Sequence, residues 1–186
     1  MVELMVVIAI IAILATIAAP SFKAMLQSSS MTSTVNTFLA DMRYARSESV
    51  RRGGAVVMCR SSNPETTATC GTGSTVGWES GWIIFHDLDG DGSRTASGTG
   101  VEPLLRVQAP ITAVNTISET GAATTFKFTA TGRLNLSAAT SIQFGSNPPF
   151  ATDAQRIVCV GLGGRARIAV DSMGQATGNA SCGADQ

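Results

Sequence analysis

The chain opens MVELMVVIAIIAILATIAAP, and that stretch restricts its fold more than any later segment. Across residues 4–19 no side chain is charged, and Thr16 alone is polar. A helix rises about 1.5 Å per residue, so this run, with Met1 and Val2, nearly crosses a hydrocarbon core of about 30 Å. It is too long and too uninterrupted for the buried stripe of an ordinary soluble helix. Two other readings compete. A secretory signal peptide carries a charged n-region, which is missing here, although Ala18-Ala19-Pro20 imitates a cleavage region. The second is a fully buried core helix. Glu3 stands at the edge of the run. An ionised carboxylate in a membrane helix costs roughly 2.5–3.5 kcal/mol on insertion scales. Glu3 therefore either reaches the headgroups or has a dedicated partner.

The residues beyond Ala19 favour an uncleaved helix. Pro20 can kink a helix without ending it. After it, Phe22, Met25, Leu26, Val35, Phe38, Leu39, Met42 and Ala45 recur at three- and four-residue spacing. Lys23, Asp41, Arg43, Arg46 and Glu48 fall mainly between them, the pattern of an amphipathic helix reaching about Arg52. The hydroxyl-rich residues 28–30 and 32–34 weaken its middle, and Gly53-Gly54 supply a stop. Three segments result: a transmembrane half-helix over 1–20, an amphipathic half over 21–53, and a β-rich domain over 54–186.

That domain has about 130 residues, enough for a single core. Strands are predicted at 55–60, 81–86, 104–108, 125–129, 140–144, 157–160 and 165–170, all short and turn-bounded. Residues 63–77 and 145–153 read as loops, and no second helix of comparable strength appears. The expected fold class is α+β, one long N-terminal helix packed on an antiparallel β-sheet domain. Formal net charge is zero and only 14% of residues are charged, so no global basic field advertises nucleic acid. Four cysteines without a C-x-x-C pair argue against zinc and for an oxidising compartment. Three pairings are possible. Cys59–Cys70 with Cys159–Cys182 is favoured because each closes a short local loop, and the second would pin the C-terminal tail. Free buried thiols are the alternative.

Candidate chemistry is sparse. DLDGDG at 87–92 resembles the start of a calcium loop, with Asp87, Asp89 and Asp91 alternating before Gly92. The twelfth position is Gly98 where a bidentate Glu is needed, and Glu102 comes four residues late. An Asp/Gly turn cluster is the simpler reading, and no metal or cofactor is expected. His86 is the only histidine, and no nucleophile–base arrangement is recognisable, so no catalytic residue is assigned. Trp78 and Trp82 read as core or as a surface anchor. The stretch 157–170, IVCVGLGGRARIAV, reads as a β-hairpin with a three-glycine turn. Strand alternation then puts Arg165 and Arg167 on one face and Ala166, Ile168 and Val170 on the core face. A guanidinium pair beside a bare glycine turn suits phosphate oxygens. Arg133 and Arg156 are candidates to widen that patch.

The opening MVELMVVIAIIAILATIAAPSF resembles the N-terminus of type IV pilins and type II secretion pseudopilins. The later blocks RYARSESVRRG, GWIIFHDLDGDG and GGRAR resemble the GspH/FimT type of minor pilin. The resemblance implies that Glu3 stays in the membrane helix and pairs with the N-terminal amine of a neighbouring subunit, setting filament register. It implies a single-pass inner-membrane protein with a periplasmic domain that assembles with other pilin subunits into a surface pilus. Gly164-Arg165-Ala166-Arg167 matches the GRxR motif of FimT-like pilins, whose arginines contact DNA in natural transformation. A structural minor pilin that primes or caps assembly, and a type II secretion minor pseudopilin, are the alternative implications. The family's basic leader, cleavage glycine and subsequent Phe-Thr are not present before Met1, which stands where the third mature residue is expected. As written, the chain offers the prepilin peptidase no site for cleavage and methylation.

Overall fold

In a computed structural model of the chain, Val2–Arg52 form one continuous helix, α1. The structure describes residues 2–73, 76–120, 124–136, 138–145, 150–171, 173–178 and 180–183. Parts of both expected loops, 63–77 and 145–153, lie outside these, as does Met1. The hydroxyl-rich middle of α1 stays helical, and its side chains bond back to the preceding turn. Thr32 Oγ1 donates to the Ser28 carbonyl at 2.8 Å and Thr34 Oγ1 to that of Ser30 at 2.9 Å. The helix stops where the glycine pair predicts. Gly53 has φ +62°, its N–H reaches the Val50 carbonyl, and the Gly54 N–H reaches that of Ser49. This is a Schellman cap. In the last turn Arg51 and Arg52 both pair with Glu48, at 2.6 and 2.8 Å.

The two halves of α1 differ in burial. Every described side chain from Val2 to Leu26 is exposed. Packing begins at Met31 and continues through Val35, Phe38, Met42 and Ala45, a stripe on one helix face. The expectation that Phe22, Met25 and Leu26 join this stripe is corrected: all three are more than half exposed, because α1 has already left the domain there. By length and composition, α1 can cross a membrane.

Two antiparallel four-stranded sheets complete the domain. The first runs β3-β2-β1-β5, from β1 (Val56–Arg60), β2 (Trp82–His86), β3 (Leu104–Gln108) and β5 (Thr125–Phe128). The second runs β4-β6-β7-β8, from β4 (Ile117–Thr120), β6 (Thr140–Phe144), β7 (Arg156–Val160) and β8 (Ala166–Ile168). Phe38 of α1 meets both. Its ring lies edge-on to Trp78 at 5.5 Å, Trp82 at 5.4 Å and Phe144 of the second sheet at 5.5 Å. Trp78 and Trp82 are thus core, both fully buried. Trp82 Nε1 donates to Asp41 Oδ2 at 2.8 Å, and Arg106 pairs with the other carboxylate oxygen at 2.7 Å. Burial still pushes the Asp41 carboxyl above its ordinary range, against these two partners. Arg60 of β1 and Glu119 of β4 form a largely buried ion pair linking the sheets.

β1 is buried along its whole length. One face meets α1, while Val57 and Cys59 pack under the Cys59–Cys70 loop with Ala68, Ile83 and Phe85. The second disulfide, Cys159–Cys182, holds the tail on β7 and buries Ala169 and Ala180 beside it.

Candidate nucleic-acid interface

The 157–170 hairpin comprises β7 and β8, with Val160 opposite Ala166 and Cys159 opposite Arg167. Its five-residue loop is closed by the Gly161 N–H on the Arg165 carbonyl and the Gly164 N–H on the Gly161 carbonyl. Gly164 has φ +73°, the left-handed conformation that favours glycine. A Cβ there would run into the carbonyl oxygen of Gly132, and Gly164 is buried. Its lack of a side chain therefore serves the turn and the neighbouring loop; Gly163, which has open space around it, is the residue a ligand could approach without hindrance. Alternation fails at the end of the expected strand. Ala166 and Ile168 pack on the core as expected, but Val170 is half exposed and Ala169 is buried instead. The strand ends at Ile168, and the chain then turns Ala169 toward the second disulfide.

Arg165, the last loop residue, and Arg167, the middle of β8, are both exposed. Arg165 lines a groove of about 580 Å³ whose opposite wall is α1. Arg43, Arg46 and Ser47 contribute from the helix, with Met42, Val50 and Ala166 as apolar lining. Arg46 lies across Gly132, with its Cγ and Nε 3.2 and 3.0 Å from where a Cβ would stand. Arg133 is exposed and comes directly after Gly132, in a turn tied to the hairpin by the Leu134 N–H on the Leu162 carbonyl at 3.0 Å. Arg156 is not brought here. It sits at the other end of β7, about 13 Å along the strand from Val160, and donates to the carbonyls of Asp153 and Gln155.

Charge is segregated in this neutral chain. Among the described residues, Asp41, Glu48, Glu119 and Asp87 are matched to Arg106, Arg51 with Arg52, Arg60 and Lys127. No ion pair forms at Arg43, Arg46, Arg133, Arg165 or Arg167 among them. The result is a local basic surface that net charge conceals. Sequence reading missed Arg43 and Arg46 as site residues. Their i, i+3 spacing beside buried Met42 and Ala45 placed them on one helix side, but not which hairpin lies alongside.

The acidic loop has a different architecture. Oxygens of Asp87, Asp89 and Glu102 lie within 4.8 Å of one another. Each also serves the loop itself. Asp87 Oδ1 accepts from the Gly90 N–H and Oδ2 pairs with Lys127 at 2.6 Å. Asp89 accepts from the Asp91 N–H, and Glu102 accepts from the Leu88 and Thr95 N–H groups. Lys127 already provides positive charge at the buried carboxylate.

Residues 34–178 match the family described as Type II transport protein GspH. The chain belongs to the GspH family. Two solved structures of the type IV minor pilin FimU from Pseudomonas aeruginosa (strain PAO1) share its fold. One, in space group P65, has 22% identity and a TM-score of 0.52 over 74% of this chain and 90% of that one. The other, in space group P21, has 22% identity and a TM-score of 0.54 over 74% and 87%. No curated protein matches. The long helix leading into antiparallel sheets is thus the type IV pilin-like fold.

Proposed function

We propose that this GspH-family protein is a minor pilin of a type IV pilus that binds DNA for uptake in natural transformation. The observation that carries the reading is the hairpin GRAR, whose two exposed arginines form no ion pair among the described residues, and of which Arg165 lines a groove that also holds Arg43 and Arg46. Arg165 and Arg167 hold phosphate oxygens through charge-assisted bonds, so recognition is largely independent of sequence. Before assembly the protein sits in the inner membrane through α1, its domain in the periplasm. In the filament α1 packs among other pilin subunits, where Glu3 pairs with a neighbour's terminal amine. Glu3→Ala then lowers the amount recovered in sheared filaments and leaves the membrane level unchanged; normal incorporation removes this role.

DNA binding is tested with the full-length protein in zwitterionic detergent micelles. At low salt it retards duplex DNA without sequence preference. Arg165→Gln with Arg167→Gln weakens this at least tenfold, while the Lys pair keeps part of it because charge persists without the planar fork. A Gln pair that binds like the parent removes the hairpin from the site. A parent that does not bind supports the second reading, a type II secretion pseudopilin or purely structural minor pilin, which the family's description as a type II transport protein favours.

A further inference from the structure

We propose that α1 is itself part of the DNA-binding surface: the phosphate backbone lies in the seam between α1 and the β7–β8 hairpin, contacted directly by Arg43 and Arg46 opposite Arg165. The inference rests on the DNA-binding reading and deepens it by adding two residues that the GRAR hairpin does not contain. Both walls of the seam are cationic, since Arg43 and Arg46 stand on one and Arg165 on the other. None of the three has an acidic partner among the described residues, so each guanidinium is available to an anion. Residues three apart on a helix have Cβ atoms about 5–6 Å from each other, which presents Arg43 and Arg46 side by side to one strand of phosphates. Arg46 is held in place by the space that Gly132 leaves empty, so little side-chain entropy is lost when it binds. The apolar floor of Met42, Val50 and Ala166 offers no base-specific donors or acceptors from its side chains. A backbone-directed, sequence-independent contact fits it.

The test is a salt titration of a labelled 30-base-pair duplex against the full-length protein in zwitterionic micelles, read by fluorescence anisotropy. Each neutralised phosphate contributes about −0.9 to the slope of log affinity against log salt, so four arginines give a slope near −4 and two a slope near −2. The parent is expected to lose affinity by about a hundredfold between 50 and 200 mM salt, and Arg43→Gln with Arg46→Gln by about tenfold. The pair Arg43→Lys with Arg46→Lys keeps the parent's slope at reduced affinity. Ser47→Glu leaves every arginine in place but puts an anion on the helix wall; it lowers affinity at least fivefold at 50 mM salt. That variant carries the test if the Gln pair disturbs the unfolding midpoint. Affinity and slope equal to the parent in the Gln pair or in Ser47→Glu, with binding still lost in the Arg165/Arg167 Gln pair, would overturn the seam and keep the hairpin. Absence of binding by the parent would remove the underlying reading itself. Displacement of the duplex by polyglutamate at equal charge concentration would reassign the seam to an acidic protein segment.

Discussion

Gly164 shows how much one residue can hold together. It must adopt φ +73° and must leave room for the Gly132 carbonyl, so Gly164→Ala meets both obstacles. The conformational penalty alone is roughly 1–2 kcal/mol, and the displaced loop carries Arg133 and the platform under Arg46. Chemical denaturation should show that loss, while Gly163→Ala, in open space, should stay within about 0.5 kcal/mol of the parent. Equal stability of the two variants would contradict the packing role. Glu48, in the last turns of α1, sets a pH dependence. Hydrogen bonds from Arg51 and then Arg52 hold its carboxyl down at about 2, from an ordinary 4.5. Its folded-state pKa is depressed, so the stability it contributes is present above 4.5 and is lost as pH falls toward 2. Asp41 has the opposite sign: burial raises its pKa above 3.8, and its contribution is present below that value and lost as pH rises through the raised one. Unfolding midpoints tracked from pH 6 to pH 2 should therefore fall less steeply in Glu48→Gln than in the parent. Parallel curves would show that the Glu48 pairing has no thermodynamic weight.

At the scale of elements, what was legible depended on periodicity. The α1 stripe and its glycine stop were readable because both are local patterns, and so was the strand set at 104–108 and 140–144. β4 was not read, because three of the four residues of Ile117–Thr120 are polar and its pairing with β6 is specified by a partner more than twenty residues away. The one-sided alternation expected of 165–170 broke after Ile168, where Ala169 is buried beside the tail disulfide in place of Val170. That disulfide is itself an element-scale prediction. Replacing Cys159 and Cys182 by Ser should loosen the tail and the β7–β8 hairpin, since closing a loop of this length is worth roughly 3 kcal/mol in the chain-entropy model. Hydrogen exchange should increase at β8 and across 173–178 and 180–183 while the first sheet stays protected. Unchanged exchange there would mean that the hairpin is held by the core alone.

For the whole molecule, the composition pointed away from nucleic acid and the fold supplied the reason to look again. A neutral chain pairs Asp41, Asp87 and Glu119 with cations and leaves Arg43 and Arg46 of α1 and Arg165 of the β7–β8 loop lining one seam. The GRAR motif was visible in sequence because its four residues are contiguous. Arg43 and Arg46 were not, because more than one hundred residues separate them from the hairpin they face. The family rests on the match over 34–178, whereas DNA uptake rests on the chemistry of this surface. Transformation frequency measured beside piliation, with Arg165→Gln and Arg167→Gln introduced at the native locus, tests that claim most directly. Transformation should fall strongly while pilus number and the protein's filament incorporation stay at parental levels; parental transformation in that strain would contradict it.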